Sequence, residues 1–101
     1  MAAERWHKFS LAEQMGNIGS EISRAYSFEK KQDLAQRTKS LERTLEMIDS
    51  TIADERYVRR LKEVCRLREI VADLYGQSGI YQVTLVDLLD YLMPFALLAR
   101  K

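Results

Sequence analysis

Cysteine, proline, histidine and glycine are scarce in this chain: one, one, one and four among 101 residues. With Cys65 alone, neither a disulfide framework nor a thiolate metal cluster can be built within the chain, a pattern that suits a reducing cytosol. So little proline and glycine leaves few turn signals, which favours helices with short connections over a turn-rich β architecture. The single His7 lies in the N-terminal segment, so the Glu-x-x-His pairs of a four-helix carboxylate metal site are missing. No constellation of nucleophile, base and orienting group appears either. No stretch reaches the roughly 18 apolar residues of a membrane span, and the opening MAAERWHKFS has no apolar run like that of a signal peptide. The expectation is a cytoplasmic protein with no membrane association, no catalytic residues, no metal or other cofactor and no enzymatic activity.

Apolar residues make up 47% of the chain and charged residues 31%, the balance of a soluble folded protein. Its length fits one domain spanning 1–101 with a modest core. A net charge of +1 gives no global argument for a nucleic-acid partner. The distribution is less even: Arg24 to Arg68 holds twelve basic and eight acidic residues, a balance of +4, and Glu69 to Lys101 holds two and four, a balance of −2. Any anionic partner is therefore expected at the middle of the chain.

Four amphipathic segments can be traced. Residues 1–9 form an arm whose Trp6 and Phe9 are expected to lie on the bundle. Ser10 and Glu13 spell a capping box, so a first helix starts there and runs to about Phe28. Leu11, Met15, Ile18, Ile22 and Ala25 form its apolar stripe, and beside it Ala12, Gly16, Gly19 and Ser23 are small enough to admit a neighbouring helix. A turn over Ser27–Gln32 leads to a second helix, about Asp33 to Ala53, with Leu34, Thr38, Leu41, Leu45, Ile48 and Ile52 on one side and Arg37, Lys39 and Arg43 among the outer charges. Asp54 can cap a third, Glu55 to Tyr75, whose apolar face holds Tyr57, Leu61, Val64, Leu67, Val71 and Leu74. Gly76 is placed to end it in the left-handed conformation.

The loop GQSGIYQV leads to Thr84 and Asp87, a second capping box, and a last helix from Leu85 to about Arg100, with Pro94 expected to kink it. That helix is apolar nearly all round. The architecture predicted is an all-α, up-down four-helix bundle, and the excess apolar surface predicts homo-oligomerisation through Leu88, Tyr91, Leu92, Phe95 and Leu98.

Two charged groups need an explanation. Arg68 projects from the apolar face of the third helix, and with Glu21 and Asp49 it could form a buried ion pair that fixes helix register, or it could serve a partner. Lys30, Lys31, Arg37, Lys39, Arg43, Arg59, Arg60, Lys62 and Arg66 could neutralise RNA phosphates, or they could be an ordinary solvated face.

The segments LAEQMGNIGSEISRA (Leu11 to Ala25), LERTLEMIDSTIAD (Leu41 to Asp54) and RLKEVCRLREIVADLYG (Arg60 to Gly76) resemble a family of small uncharacterised bacterial helical-bundle proteins. More distantly, helix count, size and pattern are similar to the ribosomal-RNA intervening-sequence proteins and to the accessory variability protein of diversity-generating retroelements. The latter resemblance implies a pentameric barrel that binds a reverse transcriptase and its structured template RNA, although this chain is less basic than that class. The function expected is a non-enzymatic accessory protein of a reverse-transcriptase element, binding the polymerase and RNA as a homo-oligomer. The alternative is a protein-only helical adaptor that engages another helical protein.

Overall fold

The computed structural model describes residues 3–99, and the side chains of residues 5–99. Its helices are α1 (Ala3–Trp6), α2 (Leu11–Lys30), α3 (Leu34–Ile52), α4 (Leu61–Gly76) and α5 (Leu85–Ala99), with one 3₁₀ segment at Glu55–Arg60. The four long helices form an up-down four-helix bundle, with no strand among the described residues. Met1, Ala2 and Arg100, to which the expected arm and last helix extend, lie outside the described residues.

Helix starts follow from local hydrogen bonding. Ser10 Oγ accepts the Glu13 N–H at 3.1 Å while the Glu13 carboxylate accepts the Ser10 N–H at 3.0 Å, closing the capping box. Thr84 and Asp87 repeat it on α5 at 2.9 and 3.2 Å, and Asp33 caps α3 through the Gln36 N–H. Gly76 is the last residue of α4, and the left-handed residue is Gln77 (φ 54°, ψ 35°) rather than the glycine. α5 runs unbroken from Leu85 to Ala99 through Pro94.

The buried core draws on all four long helices: Met15, Ile18 and Ile22 from α2, Leu41 and Ile48 from α3, Val64, Leu67 and Val71 from α4, and Leu85, Leu88 and Leu92 from α5. α2 is the central partner, packed between α3 and α5, and α4 joins through α3. The small residues of α2 explain the closeness of α5. A β-carbon placed on Gly16 would lie 3.5 Å from the Ala96 Cα, and one on Gly19 would lie 3.4 Å from the Leu92 Cβ. Both contacts are ordinary for a methyl group.

Three expectations are corrected here. Glu55–Arg60 is not the first turn and a half of an α-helix. The Asp54 carboxylate accepts from the backbone N–H and the guanidinium of Arg56, holding the chain in a 3₁₀ turn in which Tyr57 has φ −112° and ψ 25°. The third apolar stripe therefore begins at Val64, and Leu61 is exposed. On α3 the buried side is turned toward Ser40, Thr44 and Thr51, leaving Leu34 56% exposed. These hydroxyls can be buried because they are satisfied: Thr44 donates to the Ser40 carbonyl at 2.8 Å and Thr51 to Gln14 Oε1 at 2.9 Å. Leu88 and Leu92 pack inside the monomer against the core, 3% and 1% exposed, so they are not the outward-facing surface expected for an oligomer interface.

The N-terminal arm is held by a polar network. Trp6, wholly buried, donates its indole N–H to Thr51 Oγ1 at 2.8 Å, and Thr51 donates in turn to Gln14 Oε1 at 2.9 Å. The Gln14 amide reaches the Trp6 carbonyl at 3.0 Å and Asp54 Oδ2 at 3.2 Å. α1, α2, α3 and the 3₁₀ segment are thereby tied at one end of the bundle.

Candidate protein-docking groove and the charged surface

In a ring of four helices four seams are expected to close. Here α4 and α5, the first and last of the packing order α4–α3–α2–α5, do not approach each other as their neighbours do. The gap between them is a groove of about 280 Å³. Leu67, Ile70, Val83 and Leu88 give it an apolar lining, and Glu63, Arg66 and Asp87 stand at its rim. Tyr91 spans it, its hydroxyl donating to the Glu63 carboxylate, which also accepts from Arg60 at 2.9 Å. The Tyr91 bond holds Glu63 below the usual carboxylate range, and burial together with Glu63 pushes the Tyr91 phenol far upward.

The far end of the groove is shaped by Asp73. This buried carboxylate accepts the backbone N–H groups of Ile80 at 2.9 Å and Tyr81 at 3.2 Å, folding the loop after α4 back onto the helix. Tyr81 donates to Glu69 at 2.6 Å and lies under the Arg66 guanidinium, 5.7 Å from ring centroid to Cζ. Neither Asp73 nor the Tyr91–Glu63 bridge can be read from helical periodicity, since both depend on which helices become neighbours.

A larger cleft of about 480 Å³ opens between α2 and α3, lined by Trp6, Phe9, Asn17, Glu21, Arg43 and Met47 among others. Its chemistry is self-contained. Glu21 is buried, and its two oxygens accept from Arg24 at 2.6 Å and Arg43 at 3.3 Å. Among the described residues every buried side-chain polar atom has a hydrogen-bond partner, and no group of three or more His, Cys, Asp and Glu is placed to hold a metal.

The three residues considered for one buried ion pair do not converge. Arg68 meets Asp49 at 2.6 Å, with both side chains about half exposed, while Glu21 belongs to the separate α2–α3 pairing. The Asp49 carboxylate raises the Arg68 pKa further. Arg68 thus leans to the edge of the α3–α4 interface, where its charge stays in water.

The nine basic positions also separate. Arg37 is buried, 3.8 Å from the Glu29 carboxylate and donating to the Leu74 carbonyl at 3.4 Å, so it is no surface cation. Arg43, Arg60 and Arg66 are paired with Glu21, Glu63 and Glu69. Lys30 lies over the Tyr26 ring at 4.8 Å. Among the described residues no carboxylate lies within 4.0 Å of Lys30, Lys31, Lys39, Arg59 or Lys62. Of the expected oligomer residues other than Leu88 and Leu92, Tyr91 and Leu98 are exposed and Phe95 is half-buried, its ring edge-on to Tyr91 at 5.9 Å.

No helix among the described residues is long and apolar enough to cross a membrane. No protein-family profile, curated protein or solved structure matches this chain.

Proposed function

We propose that the protein is a non-enzymatic helical accessory protein whose work is to bind another protein through the α4–α5 groove. The observation that carries this reading is the open fourth seam, an apolar slot where a closed bundle would place side chains. Grooves of this kind take an amphipathic helix that lays residues at i, i+3, i+4 and i+7 into the slot. At the rim Glu63 is paired with Arg60 and Arg66 with Glu69, which leaves Asp87 as the rim carboxylate with no cation within ion-pair distance among the described residues. The complementary helix therefore bears a lysine or arginine beside its apolar stripe. A reverse transcriptase, the partner implied by the family resemblance, is the specific form of this proposal.

Charge pairing weighs against RNA as the primary ligand. Phosphate contacts need available cations, and four of the nine basic candidates are already paired within the chain. Contact with RNA would rest on Lys30, Lys31, Lys39, Arg59 and Lys62.

The test is a titration of the isotope-labelled protein with model amphipathic peptides carrying leucines at helical spacing and flanking lysines, followed by NMR. The expected result is shift changes confined to Leu67, Ile70, Val83, Leu88 and Tyr91, lost in Ile70→Glu. Structured RNA that binds at physiological salt through the five free cations, with no peptide-induced shifts at the groove, would overturn the protein-binding reading.

A further inference from the structure

A second surface lies away from the groove. On α5, Val86, Asp90, Met93 and Leu97 fall at i, i+4, i+7 and i+11, one continuous stripe along the helix. It faces outward: Met93 is 57% and Leu97 54% exposed. The only charged residues in α5 are Asp87 and Asp90, and Asp90 makes no ion pair among the described residues. This is an apolar stripe with unshared negative charge.

The opposite character appears at the start of α4. Val58, 66% exposed, and the exposed Leu61 line a shallow hollow with Cys65, Arg59 and Lys62. Arg59 and Lys62 are the two cations of this hollow that have no carboxylate within ion-pair distance among the described residues. The hollow is lined by residues between 58 and 69 alone, with none from α5.

We propose that these surfaces meet between copies of the chain: the Val58–Leu61 corner of one protomer seats on the Val86–Met93–Leu97 stripe of the next, with Arg59 and Lys62 beside Asp90. One chain carries both halves of the match, apolar against apolar and positive against negative, which identifies the occupant as a second copy. Because the halves differ, the contact is head-to-tail and each protomer retains one free half after the first joining. The surface lies outside the α4–α5 groove, and it stands or falls separately from the proposed partner binding.

The experiment is sedimentation velocity on the full chain over a concentration series reaching about 1 mM, the weak end of specific association. Masses above the monomer are expected. The pair Arg59→Glu with Lys62→Glu, and separately Asp90→Lys, are each expected to weaken association by about tenfold or more, and Met93→Lys to abolish it. These positions are exposed, and circular dichroism checks that each variant folds. Mixing the first two variants is expected to restore association, since each supplies the half the other has lost. Ile70→Glu in the groove is expected to leave the mass unchanged. A wild-type monomer throughout, or charge variants that associate as before, would overturn the proposal. A mixture that stays monomeric would do the same.

Discussion

At the scale of single residues, the most consequential group is Asp54, a carboxylate buried between Gln14 and Arg56. The Arg56 guanidinium reaches it at 2.6 Å, and this contact, with the bonds from the Arg56 N–H and Gln14, holds its pKa at about 2 against the ordinary 3.8. A pKa lowered by folding means that the charged form stabilises the native state. The contribution is whole above about pH 4 and is lost as the pH falls toward 2. Asp54→Asn keeps the shape but turns an amide donor toward donors. The expected cost at neutral pH is about 2 kcal/mol, the range for hydrogen bonds to charged groups. Urea unfolding across pH checks this: the gap between variant and wild type should shrink toward pH 2. A gap independent of pH would mean that Asp54 acts through packing alone. In the sequence Asp54 is visible as a cap, but its role in holding Trp6, Gln14 and the 3₁₀ turn together is not, because those partners lie up to forty-eight positions away and meet only after folding.

At the scale of elements, the sequence is legible where a helix carries its own instructions. Both capping boxes, the four long helices and the small-residue line on α2 follow from spacing alone, and each is present. The third helix misleads, because residues 55–60 continue the apolar period and only the Asp54–Arg56 bonds interrupt it. The α3 face misleads for a related reason: Thr44 and Thr51 read as polar, yet Thr44 bonds to its own helix and Thr51 to Trp6 and Gln14, and both pack as small side chains. The α2 line gives a sharp expectation. Gly16→Ala adds a methyl in ordinary contact with Ala96 and removes a helix glycine, so stability should hold or rise by up to about 1 kcal/mol. Gly16→Leu crowds Ala96 of α5, and the clefts beside Gly16 take up the added bulk only in part, with an expected loss of about 1–3 kcal/mol. Thermal melts of the two variants decide this, and a leucine tolerated as well as alanine would show that α5 is loosely seated.

At the scale of the whole molecule, a radius of gyration of 13.0 Å equals the value of about 13 Å for a compact chain of this size, so the open α4–α5 seam is a local slot and not a splayed helix. Its lining and the ion pairs that remove Arg37, Arg43, Arg60 and Arg66 from the basic surface were not legible, because they depend on which helices end up adjacent. The over-apolar α5 was legible, though the sequence could not divide its core-facing residues from its free stripe. The polar network around Trp6 links α1, α2, α3 and the 3₁₀ segment, and α2 links these to α5. Loss of any one of them should therefore carry the rest. Trp6 is the only tryptophan, so its fluorescence reports that end of the bundle alone, while far-ultraviolet circular dichroism reports all the helices. The two signals should trace a single coincident transition in urea, as a two-state domain requires. If the fluorescence changed at lower urea, the arm would be an independent unit that undocks first. The hydrogen bonds from Trp6 to Thr51 and from Gln14 to the Trp6 carbonyl would then contribute to docking the arm and nothing to the cohesion of the bundle.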